Sequence, residues 1–431
     1  MTIAEKAKIA KQAGITLSAV SGEVKNDALK TIARELKNQK EKIFEAGKKD
    51  LENARAANLP NPIIKRLVFD ENKLSDVISG IEQLINLDEP VGKTLLSTQL
   101  SDGLDLYRVS CPIGVIGVIF ESRPDALVQI STLCLKSANA VILKGGSEAK
   151  NVNKALFDII YAASIKAGIP EGWAVLAQSR DDVAQMLKLS DCIDLLIPRG
   201  SNEFVKYIMD NTNIPVTGHS DGICHLYIDE FADIDKAVKI TFDSKTQYVA
   251  VCNAVETLLV HENVANVFLP KIFIEFANKV ELRGDENVMK ILPSIKKADE
   301  DDWASEYLDY ILSIKIVKNL GEAIEHINKF GSGHTDSIVS ENLENIKKFM
   351  LLVDSACVFS NCSTRFSDGH RFGFGAEVGV STGKIHSRGP VGLDGLLIYK
   401  YKLLGNGHIV ADFADKKAKF THIALNKNCP L

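Results

Sequence analysis

No long apolar run occurs in the 431-residue sequence. The longest uncharged apolar stretch near its middle, residues 113–120, is eight residues with two glycines, against the roughly 20 that a membrane-spanning helix needs. An excess of positive charge is missing too. Fifty-one Lys and Arg stand against 56 Asp and Glu, a formal net charge of -5, which argues against a general electrostatic nucleic-acid binder. Met1-Thr-Ile-Ala-Glu-Lys-Ala-Lys8 has no apolar signal core, so no secretory or transit peptide is expected. The eight cysteines (Cys111, Cys134, Cys192, Cys224, Cys252, Cys357, Cys362 and Cys429) include no Cys-x-x-Cys, and the nine histidines no His-x-x-x-His. A metal site of recognisable ligand spacing is therefore not expected, and a chain of this size needs no disulfides. A Gly-x-Ser-x-Gly elbow is also missing. Gly379-Val-Ser-Thr-Gly-Lys384 is one residue short of a phosphate loop and has Ile385 where a Mg-binding hydroxyl belongs; Gly405-Asn-Gly407 lacks the third glycine of a dinucleotide fingerprint and reads as a hairpin turn. Neither internal repeat nor low-complexity tract is found. These absences leave a reduced, soluble, cytoplasmic protein with no membrane or nucleic-acid partner as the expectation.

What is present is a globular balance, 45% hydrophobic and 25% charged, over a length that predicts two or three domains. Apolar spacing predicts helices over residues 25–47 and 74–85, separated by Asn58-Leu-Pro-Asn-Pro62. From Cys111 strands and helices alternate. Strands are predicted at 115–120, 140–144, 174–176 and 192–197, with helices at 124–139, 151–167 and near 183–189. That order indicates an α/β, doubly wound parallel sheet, whose binding crevice lies at the carboxyl ends of its strands. Glu121-Ser-Arg123, Lys144-Gly-Gly146 and Pro198-Arg-Gly-Ser201 follow strands and are the first places to seek a cofactor. A second α/β unit is expected from about residue 250, a loop at Asp299-Glu-Asp-Asp302, and a late strand over 396–402.

One cysteine differs in context. Cys252 sits between a predicted helix (234–242) and a predicted strand beginning near Thr257, where a thiol can be both exposed and rigidly held, as a nucleophile must be. Position alone does not separate it from the other seven.

Several motifs resemble the gamma-glutamyl phosphate reductases (glutamate-5-semialdehyde dehydrogenases), a divergent branch of the aldehyde dehydrogenase superfamily. They are Cys111-Pro-Ile-Gly-Val-Ile-Gly-Val-Ile-Phe-Glu-Ser-Arg-Pro124, Ile142-Leu-Lys-Gly-Gly-Ser-Glu148, Ile197-Pro-Arg-Gly-Ser201, Val251-Cys-Asn-Ala-Val-Glu-Thr-Leu-Leu-Val260 and Arg371-Phe-Gly-Phe-Gly-Ala-Glu-Val-Gly-Val-Ser-Thr382. The resemblance runs in order over most of the chain. It implies an aldehyde-dehydrogenase-like architecture: an NADPH-binding domain over 1–248, interrupted near 99–112 by a flap strand; a catalytic domain over 249–388; and a return segment with an oligomerisation strand over 389–431. It also implies NADPH-dependent reduction of glutamyl 5-phosphate to glutamate 5-semialdehyde, the second step of proline synthesis.

The resemblance makes Cys252 the nucleophile that forms a thioester, with Asn253 beside it and the Cys252 backbone N–H as an oxyanion donor. Gly218 falls where hydrolytic aldehyde dehydrogenases carry the glutamate that activates water, so thioester hydrolysis has no base there. Arg123 falls where they place an oxyanion-binding asparagine. A role beside the acyl phosphate is expected of it, a surface ion pair being the alternative. For NADPH the resemblance implies Lys144 at the adenosine ribose and Gly145, Gly146 and Ser147 toward the 2'-phosphate. Pro198, Arg199, Gly200 and Ser201 would close over the pyrophosphate, and Glu306 would hold the nicotinamide ribose. Thr364, Arg365, Gly373 and Gly375 are candidates for gripping the substrate, Arg365 being structural in the alternative. A homodimer or homotetramer and a separate glutamate 5-kinase partner are implied as well. The alternatives are a hydrolytic NAD(P)-dependent aldehyde dehydrogenase and a non-catalytic binding subunit.

Overall fold

A computed structural model describes all residues of the chain except Ser220 and Gly375, and only the backbone of Pro62 and Arg180. Five helices come first: α1 (Ile3–Leu17), α2 (Gly22–Asn38), α3 (Lys40–Ala56), α4 (Asn61–Leu67) and α5 (Glu71–Asn86). Thr2 and Glu5 form a capping box on α1, and Ser21 and Asp70 cap α2 and α5 through their side-chain oxygens. The helix predicted over 25–47 is two helices, broken at Gln39, whose φ of -107° and ψ of 22° leave the helical range. Leu29, Ile32 and Leu36 of α2 and Leu74, Val77 and Ile81 of α5 pack into the core under the first parallel sheet.

The strands β1 (Thr94–Ser101) and β2 (Leu104–Pro112) pair antiparallel. Then come β3 (Val115–Phe120), α6 (Pro124–Lys136), β4 (Ala140–Gly145), α7 (Lys150–Lys166), β5 (Ala174–Ala177), α8 (Arg180–Met186), β6 (Leu195–Arg199) and α9 (Asn202–Asp210). The parallel sheet has the order β5-β4-β3-β6. Every residue of β3 is buried, because helices cover both faces of the sheet. β6 begins at Leu195 rather than at Cys192, since the Asp194 carboxylate caps the start of β3 by accepting the Val115 N–H at 2.8 Å. The strand order reverses between β3 and β6, and the crevice at their carboxyl ends is a natural binding place.

A second parallel sheet has seven strands. Its elements are β7 (Cys224–Ile228), α10 (Ile234–Thr246), β8 (Val255–His261), α11 (Glu262–Phe276), β9 (Glu281–Gly284), α12 (Glu286–Ile291), β10 (Lys296–Lys297), β11 (Ile311–Val317), α13 (Leu320–Phe330), β12 (Thr335–Val339), α14 (Leu343–Leu352) and β13 (Cys357–Ser360). The order is β10-β9-β11-β8-β7-β12-β13. This corrects the boundary drawn at residues 248 and 249. β7 lies between β8 and β12, so the second unit already starts at Cys224. The acidic run at 299–302 is only partly loop, because a 3-10 turn, Asp301–Ala304, closes it.

The rest returns to the first unit. β14 (Gly379–Ser381) and β15 (Gly389–Val391) form a small antiparallel pair, and Val378, Val391, Leu393 and Leu396 enter the same core as β3 and β4. β16 (Leu397–Leu404) then pairs with β2 from Leu397 opposite Pro112 to Leu404 opposite Asp105. The short α15 (Val410–Ala414) leads to β17 (Ile423–Ala424), completing a flap of order β16-β2-β1-β17. Gly405-Asn-Gly407 is thus not a hairpin turn. The next strand, β17, joins the far side of the flap against β1. Among the described residues no helix is long and apolar enough to cross a membrane.

Candidate active site

Between the two parallel sheets lies a cleft of about 1220 Å³, entered by the ends of β3 and β6 from one side and by the turn before β8 from the other. Cys252 stands on that turn. α10 ends at Thr246, and a tight bend, in which the Ala254 N–H donates to the Val251 carbonyl at 3.2 Å, feeds directly into β8. The thiol is half-buried and on the cleft. Its backbone is clamped. A Cβ at Gly222 would lie 2.3 Å from the Cys252 carbonyl oxygen, so only glycine allows this approach. The Cys224 thiol donates to the same carbonyl at 3.2 Å.

Asn253 and Thr364 hold the turn from behind. Asn253 Nδ2 donates to the Ser367 carbonyl at 2.7 Å, and the Thr364 hydroxyl donates to the Asn253 carbonyl at 2.7 Å. Thr364 is fully buried and is not on the cleft, so it fixes the Cys252 loop rather than presenting a hydroxyl to the cleft. Gly373 has a φ of +80° and is likewise off the cleft, while Gly375 lies outside the described residues.

Guanidinium groups share the cleft with the thiol. Burial holds Arg199 and Arg365 below the usual arginine range; Arg199 interacts with Glu377, Arg123 and Cys252, and Arg365 with Arg371 and Cys252. Arg365 Nε donates to Gln247 Oε1 at 2.9 Å, which steadies the group against the end of α10. Positive charge around a thiol favours thiolate and attracts an anionic substrate. Arg199, expected over a pyrophosphate, thus shares the cleft with Cys252.

The expected cofactor residues divide. Ser147, Pro198, Arg199, Gly200, Ser201 and Glu306 line the cleft; Lys144, Gly145 and Gly146 do not. Lys144 is buried and its Nζ donates to the Gly145 carbonyl at 2.6 Å. The two glycines make room for neighbouring side chains: a Cβ on Gly145 would lie 2.2 Å from Asn153 Nδ2, and one on Gly146 2.0 Å from Glu148 Oε1. That carboxylate accepts the Ser122 N–H at 2.8 Å and the Ser122 hydroxyl at 2.7 Å. Glu306 Oε2 accepts from Asn202 Nδ2 at 2.7 Å, joining the second-sheet side of the cleft to the first residue of α9. Glu121 Oε2 accepts the Ser201 N–H at 3.2 Å. An anion therefore already occupies the amino end of α9, where backbone donors and helix dipole favour one.

Gly218 is on the cleft, so no carboxylate exists at that position. Beside it, His219 Nδ1 lies 2.9 Å from the Val380 carbonyl and must carry a proton to donate. Sequence reading missed His334. It is fully buried just before β12, its ring edge-on to that of His219 at 4.9 Å between centroids. Donor atoms of His219, Cys252 and His334 all lie within 4.8 Å of one another. Residues 219, 252 and 334 form no recognisable ligand spacing, which is why no such cluster was expected.

The sequence model of the aldehyde dehydrogenase family matches residues 1–309. The gamma-glutamyl phosphate reductase of Acetivibrio thermocellus is 61% identical over 432 aligned positions, covering 100% of each chain. The chain belongs to the gamma-glutamyl phosphate reductases of the aldehyde dehydrogenase family. The reductase of Pelotomaculum thermopropionicum is 59% identical over 429 positions, 99% of each chain. The crystal structure of the Thermotoga maritima reductase matches with a TM-score of 0.93 at 43% identity, covering 95% of this chain and 100% of that one. The aldehyde-dehydrogenase-like fold expected from the motifs is the fold found.

Proposed function

We propose that this family member reduces L-glutamyl 5-phosphate to L-glutamate 5-semialdehyde and phosphate with NADPH, through a thioester on Cys252, as the second step of proline biosynthesis. One observation carries the reading: a rigidly held thiol faces a cleft into which Arg123, Arg199 and Arg365 bring positive charge, with no carboxylate at Gly218. The arginines suit a substrate bearing a phosphate and a carboxylate. Cys252 attacks the acyl carbon, the carbon–phosphate oxygen bond breaks, and phosphate leaves beside the guanidinium groups. The Cys252 backbone N–H supports the developing oxyanion. Collapse of the reduced adduct releases the aldehyde and returns the thiolate. Without a base at residue 218, water is not activated against the thioester, and phosphate remains its natural acceptor in reverse.

The residues on the cleft fit a dinucleotide. The N–H at the start of α9 already holds the Glu121 carboxylate as a stand-in anion, and Glu306 reaches across to Asn202. Ser201 and its neighbours would hold the pyrophosphate, Glu306 the nicotinamide ribose, and Ser147 the adenosine end. NADPH, when bound, supplies the hydride. A cytoplasmic location and assembly into dimers or tetramers belong to the same reading. Ile398, Tyr399, Tyr401 and Leu403, exposed on the outermost flap strand β16, support the assembly. A separate glutamate 5-kinase would supply the labile acyl phosphate.

The test is to mix purified protein with glutamate 5-semialdehyde and NADP⁺, with and without phosphate, and follow NADPH absorbance. Formation that requires phosphate and vanishes in Cys252→Ala is expected. Rapid turnover without phosphate would replace this reading with a hydrolytic aldehyde dehydrogenase. Silence under both conditions from folded protein would leave a binding subunit.

A further inference from the structure

We propose that His219, Cys252 and His334 form a reversible binding site for a borderline-soft divalent cation, Zn²⁺ above all, and that the bound ion switches the nucleophile off. Two imidazoles and a thiolate are a donor set suited to zinc, and three protein ligands leave a fourth position for water. Here that position faces the cleft, on which His219 and Cys252 both lie.

The donors are already close. All lie within 4.8 Å of one another, and zinc bonds of roughly 2.0–2.3 Å require tetrahedral donors about 3.5 Å apart. A contraction of about an ångström completes the set. The outer contacts are in place as well. The His219 Nδ1 proton is committed to the Val380 carbonyl, which leaves Nε2 with the lone pair a metal needs. His334 Nδ1 lies 2.8 Å from the Thr335 hydroxyl and 3.7 Å from the Cys224 thiol, so the tautomer with its proton on Nδ1 presents the other nitrogen to a metal. That other nitrogen, His334 Nε2, is buried and has no hydrogen-bond partner. A fully buried imidazole nitrogen without a partner costs stability, and a ligand at this place satisfies it. The nearby Arg199 and Arg365 charges oppose a dication, so the ion is a reversible occupant and not a resident metal.

On binding, the Cys252 S–H proton goes to solvent, a sulfur–metal bond forms, and the ion gives up water ligands. No electron is transferred. With its lone pair committed to the metal, the sulfur does not attack an acyl carbon. The inhibition rests on Cys252 being the nucleophile, as proposed above, whereas metal binding itself does not.

The experiment uses Co²⁺ as a spectroscopic stand-in on the full-length, metal-free protein. A thiolate-to-cobalt charge-transfer band with strong tetrahedral visible bands is expected, the former lost in Cys252→Ser. His219→Gln and His334→Gln should each weaken binding at least tenfold, about the loss that ligand-shell changes produce. Zn²⁺ should slow alkylation of Cys252 by iodoacetamide in the wild type and much less in His219→Gln, and a chelator should restore both alkylation and turnover. If His334→Gln does not fold, His219→Gln, altered on the half-buried side of the cleft, decides alone. Absence of a thiolate band in folded wild-type protein overturns the site, as does a band of unchanged affinity in His219→Gln. Normal metal binding without loss of turnover would preserve the site and overturn the nucleophile reading instead.

Discussion

The side chains of Lys245 and Glu256 meet 2.5 Å apart, both sealed from solvent, on either side of the Cys252 turn. Lys245 belongs to the last turn of α10 and Glu256 to β8. The other Glu256 oxygen accepts the Leu308 N–H at 3.3 Å, so the pair also ties down the loop that carries Glu306. Burial pushes Glu256 up to about 7 and Lys245 down, and each is held against that desolvation by its partner. Removing one partner leaves a buried charge uncompensated. Lys245→Met is expected to cost about 3–5 kcal/mol, and Lys245→Met/Glu256→Leu to regain most of it. Chemical denaturation of wild type, single and double variants checks this; a double variant as weak as the single refutes the coupling.

Gly218 has room for a side chain. Its Cβ would meet Pro198 at 3.5 Å, an ordinary contact. Gly218→Glu is expected to confer NADP⁺ reduction without phosphate, about 100-fold above wild type, because a general base is typically worth that much or more. The phosphate-free semialdehyde assay reads it directly, and a rate equal to wild type would count against Gly218 as the missing base.

Arg199 was expected at the cofactor and lines the same cleft as Cys252. Arg199→Ala should raise the KM for phosphate in the semialdehyde reaction by about 10- to 100-fold, the usual worth of a charge-assisted hydrogen bond. Iodoacetamide should also alkylate Cys252 more slowly near neutral pH. A higher KM for NADP⁺ with phosphate untouched would return Arg199 to the pyrophosphate.

His326 provides a pH signature. It is buried against Trp303 and Phe330, and desolvation, with His225, Lys315 and Lys329 nearby, pushes its pKa down to about 2. The unfolded chain therefore binds this proton first. The contribution is whole above the ordinary histidine value near 6.5 and is lost as pH falls from there toward 2, at up to about 1.4 kcal/mol per pH unit. His326→Phe should lose less stability than wild type between pH 6.5 and 4.5, by about 2–3 kcal/mol. Denaturation midpoints across that range measure it, and parallel curves would refute it.

Those features were unequally legible in sequence. β3 and β4 stood out because both faces of the sheet are covered, which writes an unbroken apolar run. The break at Gln39 carries neither glycine nor proline, so nothing local announces it. β7 was missed because Cys224-His-Leu-Tyr-Ile228 places a polar residue inside a short strand; His225 is buried there by the Asp336 carboxylate, 3.0 Å away. Cys252 was one of eight cysteines until family motifs distinguished it. Thr364 was expected to grip the substrate, and a sequence does not reveal that its hydroxyl is engaged by the Asn253 carbonyl instead. His334 left no signal, since its meaning depends wholly on which distant residues fold against it.

Val391, Leu393 and Leu396 complete a hydrophobic core whose other members lie before Pro198, apart from Val378, and β16 and β17 complete the sheet begun by β1 and β2. The order of synthesis therefore matters. The first-sheet unit emerges first from the ribosome yet stays unfinished, with apolar surface uncovered and strand edges unpaired, until residues 391–396, β16 and β17 have been made. A nascent chain halted anywhere in the second sheet has neither half of the cleft in final form, so Cys252 and its charged surroundings reach their final arrangement only once the return segment has been made.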